Sequence, residues 1–192
     1  MSHPCVDEVT NTLNQLRQTS LETTVVDGSH ISYNVYFSWD IINGGVEIAL
    51  KSPVGALLNA DVIVRGKPKW FTLNIGLGRG KFAIDDTIGL VVDASCSVPI
   101  DLCPFVRSAE SGDKHDTMLS ECIKLGPNTG SSILLHTVES HEPVSWAGQF
   151  HTLVIPLPKQ NFTLDLKDMR LIHVDAAKGL RARQRVMTSI AY

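Results

Sequence analysis

Between Trp70 and Gly78 apolar and polar positions alternate without exception. Phe71, Leu73, Ile75 and Leu77 fall on one set; Thr72, Asn74, Gly76 and Gly78 fall on the other. A period of two predicts a strand with one buried and one wet face. Trp70 lies in register with Thr72 and Asn74, which puts a large aromatic on the polar face.

The same reading extends in both directions. Residues 5–18 carry Val6, Val9, Leu13 and Leu16 at helical spacing, with Asp7 and Glu8 in the first turn, and predict an amphipathic helix. Residues 21–26 and 30–39 flank Asp27-Gly28 and read as a β-hairpin. In its second arm Ile31, Tyr33, Val35, Phe37 and Trp39 share one face, and His30, Ser32, Asn34 and Tyr36 the other. Strands are expected around Val46–Leu50 after the Asn43-Gly44-Gly45 turn, and then at 60–64, 70–77, 82–84 and 87–93. Further strands are expected at 133–138, 151–157, 162–166 and 169–174. Pro156 and Pro158 suggest that the strand at 151–157 is an edge or ends early. Residues 116–125 read as a short helix with Asp116 as N-cap and Gly126 as its stop. The end of the chain from Ala176 is open between helix and tail.

About ten short strands separated by Gly, Asn, Asp and Pro turns argue for antiparallel sheets. The expected fold is mainly β, an antiparallel β-sandwich of jelly-roll type with a short mid-chain helix; a closed barrel is the alternative. Residues 1–192 read as one domain, with 1–18 a helical extension packing on it.

Composition adds exclusions. The chain has 192 residues, 43% hydrophobic and 19% charged, with a net charge of −3. That is enough chain for a core without staples, and the charge gives no overall case for nucleic acid. Arg65, Lys67, Lys69, Arg79 and Lys81 form a basic segment, but the strand between Lys69 and Arg79 would hold them roughly 30 Å apart. Arg181, Arg183 and Arg185 form a second basic run, read as a solvated tail or helix face. No apolar run is long enough for a membrane span. Cys5, Cys96, Cys103 and Cys122 make no CxxC pair, so free thiols and a cytoplasmic setting are expected, with the Asn161 sequon unused.

No catalytic motif stands out. Gly76, Gly78, Gly80 and Lys81 do not match a phosphate loop. Asp85-Asp86 reads as a turn, because adjacent side chains on a strand diverge. Cys96 and Cys103 lie near Asp93 and Asp101, but a nucleophile needs a histidine that spacing does not supply. His136, Glu139, His141 and His151 could serve a cupin-like metal enzyme, yet no HxH is present.

The polar face carries more. Rings stack on the apolar faces of sugars while amides and hydroxyls take their hydrogen bonds. His30, Asn34 and Tyr36 on one strand, with Trp70, Thr72 and Asn74 on another, have that chemistry. The arrangement is similar in kind to lectin-like sandwiches, although His30-x-Ser32-x-Asn34 lacks the arginine of the galectin signature and no WxxExR follows. The expectation is a non-catalytic module binding carbohydrate or another polar small molecule, without a cofactor. The alternatives are an interaction or assembly protein, such as a homo-oligomer, in which Tyr36 and Trp70 are covered, and the metal enzyme.

Overall fold

The computed structural model describes residues 2–128 and 130–178. The basic run at Arg181, Arg183 and Arg185 lies outside the described residues. Among the described residues a helix, α1 (Pro4–Gln18), precedes fourteen strands, and α2 (Pro143–Trp146) is a single turn late in the chain. Two six-stranded antiparallel sheets pack face to face as a jelly-roll β-sandwich. One sheet has the order β1 (Leu21–Thr24), β4 (Gly44–Ser52), β5 (Leu58–Gly66), β14 (Phe162–Val174), β7 (Thr87–Cys96) and β12 (Gly130–Thr137). The other runs β10 (Asp113–Met118), β9 (Phe105–Glu110), β13 (Phe150–Pro156), β6 (Phe71–Gly78), β3 (Val35–Trp39) and β2 (His30–Ser32). A small ribbon pairs β8 (Ile100–Leu102) with β11 (Ile123–Leu125).

The perfect alternation becomes β6, in the interior of the second sheet. Phe71, Leu73, Ile75 and Leu77 are all buried in the core, as the period of two requires. Burying each is worth about 1.5–3 kcal/mol. Phe71 sits 6.2 Å from Phe37 of β3 and 6.2 Å from Phe162 of β14, so one aromatic cluster joins the two sheets. The helix α1 covers an end of this core rather than a sheet face. It packs against β6 of one sheet and β14 of the other, burying Cys5, Val9, Thr12, Leu13 and Leu16. His3 caps its start, accepting from the Cys5 backbone N–H through Nδ1 and donating Nε2–H to Lys81 O at 3.1 Å.

Several expectations are corrected. The segments around Asp27-Gly28 do not pair with each other: β1 pairs with β4, while the following segment enters the other sheet. The Asp27 carboxylate accepts from Trp39 N–H at 2.8 Å, so the turn serves as a crossing between layers. The arm 30–39 is broken at Tyr33-Asn34, where Asn34 adopts φ 54° and β2 folds back on β3. That turn lies over β6: the Asn34 carbonyl accepts from Gly76 N–H at 2.8 Å, and a Cβ at Gly76 would stand 2.8 Å from the Asn34 Cβ. Gly76 is therefore a close-approach residue. Residues 82–84 form no strand, although Phe82 is buried. The segments 162–166 and 169–174 are one strand, β14, with a register shift between Leu166 and Asp168. The strand β13 is interior rather than an edge. It ends at Pro156, which pairs with Thr72 beyond the point where β9 begins opposite Val154.

The expected mid-chain helix is absent. Asp116 is not an N-cap but a member of edge strand β10, paired with Arg107 across the ladder. After β10 the chain is tied down by the disulfide Cys103–Cys122, which joins the end of β8 to the start of β11. The apolar spacing of Met118, Leu119, Cys122 and Ile123 suits a helix, but cross-strand pairing and the covalent link override it. The disulfide also corrects the expectation of four free thiols: Cys5 and Cys96 alone are free, and both are buried. Burial pushes the Cys5 thiol up to about 12 and raises Cys96 as well, so neither is a poised nucleophile. Among the described residues no helix is long and apolar enough to cross a membrane.

Replacing Cys103 and Cys122 together by alanine removes a 19-residue closure. It is expected to cost about 3 kcal/mol. Denaturant titration of the oxidised protein and the double variant checks this, and loss of less than a few tenths would show that the link does not constrain the unfolded chain.

Candidate functional site

Strands β3 and β6 are direct neighbours, with Tyr36 opposite Asn74 and Ser38 opposite Thr72. These four side chains share the outward face of the second sheet, which forms an open groove of about 560 Å³. Trp70 stands at one end, just before β6, with 49% of its surface exposed. No part of the described chain buries it, and α1 lies elsewhere; Trp70 and Tyr36 both line the open groove. Phe105 and Arg107 of β9, Lys114 of β10 and Val154 of β13 complete the far side.

Hydrogen bonds preset the floor. The Thr72 hydroxyl donates to Ser38 O at 3.3 Å and accepts from the Asn74 Nδ2 group at 3.0 Å. Asn74 Nδ2 also donates to Tyr36 O at 3.4 Å. Both amide protons are thereby committed, and Asn74 Oδ1 is left as an acceptor at the groove surface. The loop that carries Trp70 is anchored by Asp40, which is itself buried. Its carboxylate accepts from Lys69 N–H at 3.0 Å, Ile42 N–H at 3.1 Å, Asn43 N–H at 3.3 Å and the Asn43 side chain at 2.6 Å. Asp40 N–H in turn donates to Trp70 O at 3.1 Å. Burial alone would raise the Asp40 carboxyl, but these accepted bonds outweigh it and hold it below the ordinary carboxylate range.

Of the residues expected at the site, Trp70, Thr72, Asn74 and Tyr36 come together. His30 is adjacent, edge-on to Tyr36 at 5.2 Å, on the outermost strand. Asn34 does not belong: its turn conformation turns it toward α1, where Nδ2 donates to Glu8 at 3.4 Å. The groove residues that sequence reasoning missed are Phe105, Arg107 and Lys114, which lie on the unforeseen β9–β10 hairpin, and Lys159.

The histidine cluster does not converge. His136 is buried between Ser120 Oγ (2.8 Å) and Glu142 (2.9 Å), while His141 forms a surface pair with Glu139 at 3.3 Å. His151 lies in the other sheet. It donates Nε2–H to Gly80 O at 2.5 Å and accepts from Ser108 at Nδ1, 2.9 Å. Each is occupied by a different protein partner, and among the described residues no group of three His, Cys, Asp or Glu side chains is placed to hold a metal. Asp86 is likewise committed, to His173 at 2.7 Å.

No protein-family model matches this sequence, and no curated protein matches it. Solved structures do match its fold. The carbohydrate-binding module CBM4 is 16% identical over 74% of this chain and 96% of its own, with a TM-score of 0.50. A Stig cyclase, Fisc, from Fischerella sp. TAU, in complex with an indole derivative, is 13% identical over 84% of this chain and 94% of its own, with a TM-score of 0.51. The N-terminal cellulose-binding domain of Cellulomonas fimi β-1,4-glucanase C is 15% identical over 66% and 84%, with a TM-score of 0.48. At these identities the likeness is one of fold. A binding module and a cyclase share it, so the site must decide the function.

Two predictions follow from this geometry. Replacing Asp40 by Ala leaves four donors without their acceptor, and amide exchange at Ile42, Asn43 and Lys69 is expected to quicken by about tenfold or more; unchanged exchange would show that Asp40 does not hold the loop. Desolvation lowers His151 and, less completely buried, His3 below 6.5. The unfolded chain therefore binds more protons just below pH 6.5, so their contribution is complete above that pH and is lost as pH falls. Unfolding free energy should decline on going below pH 6.5, and less steeply in His151→Gln; equal slopes would refute the assignment.

Proposed function

We propose that this chain is a non-catalytic carbohydrate-binding module whose ligand lies along the groove of the second sheet. The observation that carries this reading is the joining of exposed Trp70 to a prearranged row of Tyr36, Thr72 and Asn74. The indole supplies an apolar platform for a sugar ring, and Asn74 Oδ1 and the Tyr36 hydroxyl supply hydrogen-bond partners for its hydroxyls. Among the described residues, the groove's lining includes no Asp, Glu, His or Cys. Glycoside hydrolysis needs paired carboxylates, and the groove offers none. The CBM4 module of the same fold is described by its name as carbohydrate-binding, which supports the reading.

The setting proposed with it is an oxidising one. The Cys103–Cys122 disulfide favours that over the cytoplasmic location expected from the cysteine pattern.

Binding of soluble oligosaccharides by titration calorimetry tests the function. Trp70→Ala is expected to lower affinity at least about tenfold, the loss of one stacked ring, while leaving the melting temperature unchanged. Binding indifferent to Trp70, together with sedimentation as a dimer that buries it, would favour the assembly reading instead.

A further inference from the structure

We infer that the ligand of this groove is an anionic polysaccharide, a chain of carboxylated sugars such as a polyuronate, and not a neutral glucan. The inference rests on the carbohydrate-binding reading and refines it. The groove is basic on a protein whose net charge is −3: Lys69, Arg107, Lys114 and Lys159 line it, and among the described residues no acidic side chain does. Arg107 is already neutralised. Its Nε and Nη2 each donate to Asp116 at 2.8 Å on the neighbouring strand, so that guanidinium and that carboxylate offset each other. The Lys159 ammonium donates one hydrogen bond to Lys69 O at 3.0 Å, which places its charge beside the Trp70 loop and leaves two N–H donors. The Lys69 and Lys114 ammonium groups make no ion pair or hydrogen bond among the described residues.

Their arrangement along the groove selects a polymer. Lys69 and Lys159 sit at the Trp70 end, next to the row where Thr72 faces Pro156. Lys114 lies opposite Ala109, which lies opposite Phe150, the residue at the far end of β13. Six residue steps along the strand carry Phe150 to Pro156, roughly 20 Å. A small anion would need cations that converge; here they stand at both ends, with Thr72, Asn74 and Tyr36 between them. That spacing suits a ligand with carboxylates recurring along its length and hydroxyls between. A nucleic acid also recurs in charge, but a strand bound without sequence preference needs successive stacking platforms and a continuous cationic track. Between the two ends the one guanidinium, Arg107 opposite Thr152, is paired with Asp116, so the middle of this groove carries no unpaired cation and offers hydrogen-bonding groups on its floor.

The test measures binding of the whole chain to oligogalacturonate, to a neutral cello-oligosaccharide of equal length and to single-stranded DNA. Oligogalacturonate is expected to bind tightest, and to weaken as ionic strength rises from about 0.01 M to about 1 M, where the Debye length shrinks from about 30 Å to about 3 Å. Each exposed lysine is expected to contribute about two- to fivefold, so Lys69→Met with Lys114→Met should weaken it about four- to twenty-five-fold. Both side chains are exposed, and an unchanged melting temperature shows that the variant is folded. Lys114→Arg, which keeps the charge, should bind as the parent does. Tighter, salt-insensitive and Trp70-dependent binding of the neutral oligosaccharide would overturn the anionic inference and leave the carbohydrate reading standing. Preference for DNA would overturn it in favour of a nucleic-acid ligand. Binding of none of the three would remove both readings.

Discussion

The pairing of β6 between β3 and β13 is the constraint on which the rest of this molecule depends. One face of β6 supplies Phe71, Leu73, Ile75 and Leu77 to the core; the other supplies Thr72 and Asn74 to the groove floor. A slip of one residue would exchange these two sets and destroy both at once. Register is held from within by Phe71 packed against Phe37, Trp39 and Phe162. It is held from outside by the Asn34 turn, which only a glycine at position 76 allows to close over the strand. Core packing and site geometry are thus two consequences of a single ladder.

The ends of β6 are governed by different physics. At the start, a buried carboxylate gathers backbone donors and fixes the loop carrying Trp70. A half-exposed aromatic on a fixed loop loses little conformational freedom when a ligand stacks on it. At the finish, Gly78 adopts φ 75° beneath Glu8 of α1, and the chain leaves the sheet toward Phe82. There His3, Phe82, His173 and His151 form a run of ring contacts between 4.0 and 6.2 Å that seals the core under the helix. Of the histidines which in sequence look like metal ligands, His136 and His151 are buried among protein partners and His141 lies at the surface beside Glu139. The two buried ones have both ring nitrogens engaged, as buried polar groups require.

How much was legible followed from how local each signal was. The alternation in β6 and the helical spacing in α1 are written in consecutive residues, and both elements form where the pattern places them. The arm 30–39 also alternates, but the break at Asn34 depends on what lies beneath it: a left-handed turn is tolerated there because Gly76 lacks a Cβ. The region 105–125 shows the opposite failure. The spacing over 116–125 suits a helix, yet residues 105–118 pair with each other as a hairpin, and Cys103 and Cys122 are drawn together from 19 positions apart. A disulfide and a cross-strand ladder are non-local, and periodicity cannot express them.

By itself the sequence determined the class of fold, the inward set of β6 and the chemical character of the residues that could meet a polar ligand, because side-chain direction on a strand follows from period alone. Tertiary structure decided which strands are neighbours. That choice set Tyr36 beside Asn74, excluded Asn34, scattered the histidines and brought Lys114 and Lys159 to a groove begun by Lys69. The physical reason is that strand pairing and sheet order arise from hydrogen bonds and burial between segments far apart in the chain. Trp70, the residue that the alternation singles out, is consequently a groove residue through its neighbours more than through its own position.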